Sequence, residues 1–302
     1  MRSRRAGLWR DVKRNRWAYV FISPFYVLFA VFGVFPPLFA LYLSLHKWDI
    51  INPMQFVGLA NYARMLQDKL FWKAFTNVMF FTVAEAVPEL ILALTIAYLL
   101  DRFVLRARSA FLAAYFSPMV TSSAAVAILF GLMFAVNFGL INAGLRGLGF
   151  SPVRWLERPW PMKLALIILL LWRWLGWNVV LFLAGLQSIS RDYYEAARVD
   201  GANGFAIFTR ITVPLVRPTI LYVAILSSIG TLQLFAEPYL LTARQGGMGG
   251  RENSLLTMVM YLYQVGFGYF RFGYAAAVSY VMFVIILLVS LLNLRFLGRS
   301  DR

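Results

Sequence analysis

Cysteine is absent from this chain of 302 residues, which excludes disulfides, thiol chemistry and Cys-ligated metal sites. Histidine occurs once, at His46, so a His-rich metal site cannot be built. His46 ends an apolar run and is expected to be an interfacial side chain. Charge is scarce: 14% of residues are Asp, Glu, Lys or Arg, where a soluble chain carries about 25%. No nucleophile–base or metal constellation is visible, so an intramembrane enzyme finds no support. What fills the chain is apolar: 61% of residues are hydrophobic and the mean hydropathy is +0.70. Length alone would suggest about two domains, but a membrane bundle overrides that expectation.

A helix crosses a bilayer with about 20 apolar residues. Six segments qualify: Trp17–Ser44, Thr76–Leu100, Ala110–Val136, Met162–Leu186, Thr219–Thr242 and Tyr274–Leu297. Backbone groups cannot go unpaired in lipid, and the runs are continuous rather than short and alternating. Helices are therefore expected, not a β-barrel. The fold class follows as all-α, a polytopic bundle of six transmembrane helices. Its transmembrane unit covers 17–297, between a basic stretch 1–16 and a short tail 298–302. Arg2, Arg4, Arg5, Arg10, Lys13, Arg14 and Arg16 before an apolar run imitate a signal peptide. That run is too long for a signal core and has no small-residue cleavage site, so it reads as a retained first helix.

The net charge of +16 would suggest nucleic acid in a soluble protein. Here the charges flank the spans instead. With the N-terminus inside, 17 Lys and Arg fall in segments 1–16, 101–109, 187–218 and 295–302. The outer segments 45–75, 137–161 and 243–273 hold 10. Both termini are thus expected in the cytoplasm of a cell-membrane protein with lipid, not nucleic acid, around it. Trp17, Tyr19, Trp48, Trp160 and Tyr274 lie near span ends, where anchoring aromatics sit. Gly246-Gly247-Met248-Gly249-Gly250 reads as a flexible outer loop, with no Lys-Ser/Thr to make it a phosphate site.

The inner segment from Ser188 to Pro218 is the longest. Asp192 is expected to cap a helix with Glu195 completing a capping-box-like pair, giving a helix Tyr193–Asp200. Gly201 and Asn203-Gly204 supply a turn. A second helix Phe205–Ile211 follows, ended by Pro214. Ala196 and Ala197 are expected to give a small-residue surface that a partner can approach, with the Glu195 charge beside it.

Glu195-Ala196-Ala197, Gly201, Ile211 and Val213-Pro214 resemble the signature loop of the membrane subunits of binding-protein-dependent ABC importers. That pattern is Glu-Ala-Ala, three residues, Gly, nine residues, Ile, one residue, Leu-Pro; Val213 replaces Leu. Leu183-Ala184-Gly185-Leu186-Gln187-Ser188-Ile189, Val199-Asp200-Gly201-Ala202 and Phe56-Val57-Gly58-Leu59-Ala60-Asn61-Tyr62 resemble the carbohydrate branch. The last of these is similar to the larger membrane subunit of the maltose transporter. Ser190 stands where the family has Pro. The resemblance implies a transport subunit, not an enzyme, with Glu195, Ala196, Ala197, Asp200, Gly201, Ile211 and Pro214 coupling it to an ABC ATPase dimer. It also implies a homologous second permease and an extracytoplasmic sugar-binding protein. No cofactor is expected on this chain: it has no Gly-x-x-x-x-Gly-Lys-Ser/Thr, so ATP and Mg belong to the ATPase.

Glu85, Glu89, Arg173, Gln233 and Glu237 lie inside the expected spans, where a charge costs roughly 2.5–3.5 kcal/mol. They should face the bundle interior, either along a translocation path or as an interhelical pair such as Arg173 with Glu85 or Glu237. A proton relay through one carboxylate is a further reading. Trp174, Trp177 and Asn178 share one face of the fourth span, beside Trp172; Ser227, Thr231 and Leu234 share a face of the fifth. Aromatic faces beside hydroxyls suit sugars, though such a stripe also serves packing. The maltose-type resemblance implies Trp174, Trp177, Ser227 and Thr231 as substrate path. A peptide, amino-acid or glycerol-phosphate ABC permease and a proton-coupled carrier are the alternatives.

Overall fold

The computed structural model describes residues 14–103, 108–243 and 248–297. The basic cluster before residue 14, the tail after 297 and Gly246-Gly247 therefore lie outside the described residues. The all-α expectation holds. The main elements begin with α1 (Arg16–Ser44), a short hairpin of β1 (His46–Lys47) and β2 (Gln55–Phe56), α2 (Ala60–Leu66) and α3 (Lys69–Phe103). Next come α4 (Arg108–Val120), α5 (Ser123–Met133), α6 (Leu140–Gly147) and α7 (Pro159–Gln187). The last are α8 (Arg191–Val199), α9 (Gly204–Leu215), α10 (Arg217–Leu232), α11 (Ala236–Thr242), α12 (Met258–Tyr263) and α13 (Phe272–Leu297). Among the described residues, five helices are long and apolar enough to cross a membrane, six if the bent pair α4–α5 counts as one.

The third expected span, Ala110–Val136, is not one helix. It breaks at Thr121–Ser122, and α4 and α5 meet at 97°. Pro118 has no N–H for the Ala114 carbonyl, and the Ser117 hydroxyl donates to that carbonyl at 3.0 Å. Ser122 is extended (φ −53°, ψ 132°), which turns the chain. The fifth expected span is interrupted too, though without a bend of that size. Pro238 frees the Leu234 carbonyl, which takes the Thr257 hydroxyl at 2.6 Å. Helix α10 stops at Leu232, and α11 starts at Ala236. Gln233 and Glu237 are thus on opposite sides of a break rather than one turn apart on one helix. Non-helical backbone inside an apolar bundle persists only where protein groups or water pair it.

Helices α3 and α7 form the centre. Ala93 and Ala97, one turn apart on α3 and fully buried, let it approach α7 at Val179, Phe182 and Leu186. Helix α4 also packs tightly on α7: a Cβ on Gly176 would stand 1.8 Å from the Tyr115 carbonyl oxygen. By contrast α1 buries nothing along Arg16–Leu28. It touches the bundle through its last turns, where the Tyr280 hydroxyl donates to the Pro37 carbonyl. Its wide turn at Phe29–Val34 precedes Pro36-Pro37, which cannot donate backbone hydrogen bonds.

At the end opposite the α8–α9 hairpin, Asp68 accepts the hydroxyls of Tyr261 and Tyr274, the latter at 2.9 Å. Tyr274 is therefore a buried polar partner, correcting its reading as an anchoring aromatic. Burial opposes ionisation of Asp68, but those two hydroxyls, with the amides of Leu70 and Phe71, hold its carboxyl below the usual aspartate value. His46, expected at the interface, is buried too, with Nδ1 2.7 Å from the Tyr42 carbonyl.

Candidate functional site

A cavity of about 450 Å³ opens between α3, α7, α10 and the α10–α11 break. Glu85 and Glu89 enter it from α3, Trp174, Trp177 and Asn178 from α7, and Ser227 and Thr231 from α10. Gln233 and Glu237 close one side at the break. The sequence places Trp174, Trp177 and Asn178 on one face by helical spacing, and the structure turns that face inward. Trp172 points elsewhere, its ring centroid 5.2 Å from that of Phe130.

The polar wall is a directed chain. Asn178 Nδ2 donates to Ser227 Oγ at 3.0 Å, and Ser227 Oγ donates to Glu89 Oε2 at 3.0 Å. Thr231 Oγ1 lies 2.9 Å from Glu85 Oε2 and 3.0 Å from the Ser227 carbonyl. Glu85 and Glu89 are 3% and 1% exposed, and Glu89 Oε1 is buried without a hydrogen-bond partner.

Arg173 takes neither of the α3 carboxylates. Its Nε lies 3.2 Å from Glu237 Oε1, with both side chains almost fully buried. Its Nη2 donates to Ser123 Oγ at 3.0 Å. One guanidinium on the unbroken helix α7 thus holds the first turn of α11 and the first residue of α5. Of the two roles open to Arg173 from sequence, the interhelical pair is the one present, and its partner is Glu237.

The hairpin α8–α9 is built by its own caps. Ser190, not Asp192, is the N-cap of α8, its hydroxyl accepting the Asp192 N–H at 3.3 Å. Gly201 has φ +78°, a left-handed conformation that a glycine adopts without strain. The Gly201 N–H bonds the Arg198 carbonyl and the Ala202 N–H bonds the Ala197 carbonyl, a Schellman ending. Asn203 then caps α9 through the Ala206 N–H at 2.8 Å. Ala197 is buried with Tyr194 and Ile207, and half-buried Ile211 packs on them, so Ala197 serves the hairpin's own core rather than a docking surface. Glu195, Ala196, Asp200, Gly201 and Pro214 are exposed. Pro214 does not end the second helix; the path runs through a wide turn at Phe208–Thr212 on to Leu215.

One contact escaped sequence reasoning. Arg102, at the end of α3, stacks 3.7 Å over the Tyr194 ring of the hairpin and also over Tyr98. Tyr98 in turn meets Phe208. The helix carrying Glu85 and Glu89 is therefore tied directly to the hairpin. The sequence signal was an Arg just past an apolar run, which reads as a flanking charge alone.

Residues 5–300 match the family described as binding-protein-dependent transport system inner membrane component. The chain belongs to this family. This inner membrane component is 38% identical over 292 residues to a lactose transport system permease protein of Rhizobium radiobacter, covering 96% of each chain. It is 35% identical over 291 residues to a trehalose/maltose transport system permease protein of Thermococcus litoralis, again covering 96% of each. Its fold matches a solved bacterial ABC transporter involved in import of the acidic polysaccharide alginate. The TM-score is 0.82 at 22% identity, covering 98% of this chain and 99% of the other.

Proposed function

We propose that this inner membrane component is one of two different permease subunits of an ATP-driven sugar importer. The cavity carries the reading: two indoles beside a wall of hydroxyl, amide and carboxylate groups match the C–H faces and hydroxyls of a sugar. The sugar permeases among its relatives support it. Trp174, Trp177, Ser227 and Thr231 line the path. A separate extracytoplasmic binding protein delivers the sugar, and a homologous permease supplies the other half of the passage. Glu195, Ala196, Asp200, Gly201 and Pro214 present the hairpin to an ABC ATPase, with Ala197 and Ile211 keeping its two helices together. Both termini lie in the cytoplasm, and ATP and Mg act on the ATPase alone.

Gentle extraction of the tagged chain from its native membrane, followed by mass spectrometry, tests the assembly. An ABC ATPase, a second permease and a solute-binding protein are expected. Uptake of labelled sugar should stop when the ATPase is deleted and in Glu195→Lys, with membrane insertion unchanged. Trp174→Ala with Trp177→Ala should leave ATP hydrolysis running without sugar movement. Recovery of the chain alone, with uptake that survives ATPase loss and collapses with the proton gradient, overturns the reading in favour of a carrier using Glu85 or Glu89.

A further inference from the structure

We infer that this cavity selects sugars without negative charge, neutral or amine-bearing, and that Glu85 and Glu89 are the residues that turn acidic sugars away. The inference rests on the proposed sugar path and adds the charge class of what passes.

A serine or threonine hydroxyl has one proton to give. Ser227 spends its proton on Glu89, and Thr231 divides its own between Glu85 and the Ser227 carbonyl. The hydroxyl wall thus offers acceptors to a ligand. Glu89 Oε1, buried and unpartnered, is an acceptor in want of a donor. A polyol or an ammonium brings donors. A uronate, sulfate or phosphate group brings acceptors and a like charge.

Charge points the same way. Among the described residues, three carboxyl side chains and no Lys or Arg line the cavity. The nearest guanidinium, Arg173, already lies against Glu237 at 3.2 Å and holds Ser123. A single negative charge shared by the Glu85–Glu89 pair, about 5 Å from an anion in a medium of effective dielectric about 20, disfavours that anion by about 100-fold. The walls that suit a neutral sugar therefore reject its acidic derivative without any steric difference.

The test uses the intact permease–ATPase complex in nanodiscs, without the binding protein, so that selectivity belongs to the membrane cavity. Labelled lactose, trehalose and an arabino-oligosaccharide are measured by equilibrium dialysis. The sugar that binds is compared with two derivatives, one with a primary alcohol oxidised to carboxylate and one with it replaced by an amine. The carboxylate form is expected to bind at least about 30-fold more weakly than the parent, and the amine form no more weakly. In Glu85→Gln with Glu89→Gln the carboxylate penalty should fall below about 5-fold, and Glu89→Gln alone should lower it part-way. Equal binding of parent and carboxylate forms by the unaltered complex overturns the inference, and that comparison needs no variant to fold. So does a penalty unchanged in the Gln variants. Binding of none of the three sugars is a different failure: it removes the sugar path itself.

Discussion

Arg173 joins two segments that follow helix breaks, and removing either member of its pair should cost more than removing both. Arg173 and Glu237 are 8% and 7% exposed, so neither can turn to water when its partner is lost. Breaking a buried pair from one side costs about 3–5 kcal/mol, because the orphaned charge stays desolvated, whereas replacing both by apolar groups is often neutral. Arg173→Met also strands the Ser123 hydroxyl, which the guanidinium holds at 3.0 Å; a lost hydrogen bond to a charged group adds about 1.5–3 kcal/mol. Arg173→Met should lose about 4.5–8 kcal/mol and Glu237→Leu about 3–5 kcal/mol, and the double variant should regain at least about 2 kcal/mol relative to the sum. Equilibrium unfolding of the purified chain in mixed micelles, followed by tryptophan fluorescence, reads all four corners of the cycle. The cost should appear as loosening of α5 and α11, since these are the broken segments the guanidinium joins. Single variants within about 1 kcal/mol of the parent, or a double variant no better than the sum of the singles, would refute the idea that this pair pins the broken helices.

The other expectations concern backbone and loop. Gly201→Ala should destabilise the hairpin by about 1–2 kcal/mol, since φ +78° is strained for any residue with a Cβ. Nothing lies within 4 Å of that Cβ, so protease nicking of 191–215 should rise while the spans stay intact. Gly176→Ala should cost about 1–3 kcal/mol by overpacking, because its Cβ meets the Tyr115 backbone at 1.8 Å; unaltered thermal retention in detergent would contradict the α4–α7 contact. For Asp68 the folded value lies below the ordinary 3.8, so its stabilisation is present above pH about 4 and is lost as pH falls through the lower folded value. Asp68→Asn should flatten that acid limb in a pH series of thermal retention, and an unchanged limb would assign it to other groups.

Much of the site was open to reading because it is local. Trp174, Trp177 and Asn178 share a face by the period of one helix, and Glu85 and Glu89 stand one turn apart on another. The cost of charge in lipid alone sends the carboxylates inward. Gly201 was legible for a similar reason: a glycine after a capped helix and before Asn203-Gly204 announces a left-handed turn. What escaped depends on direction rather than composition. Hydropathy reports that 110–136 and 219–242 are apolar, and it has no way to register a break in the helix. The information lay in Pro118 and Pro238, each of which orphans a carbonyl four residues back. Whether a proline bends or breaks a helix depends on who accepts that orphan's need. Thr257, which caps the Leu234 carbonyl, comes from a distant part of the chain that no local window contains. The same non-locality hid the Tyr274–Asp68 and Arg102–Tyr194 contacts, which join residues that look like an anchor and a flanking charge when each is read alone. Ala197 fails differently. Small size suits a docking surface and a tight core equally, and helical phase decides between them: three residues beyond buried Tyr194, it must face Ile207 and not the exterior.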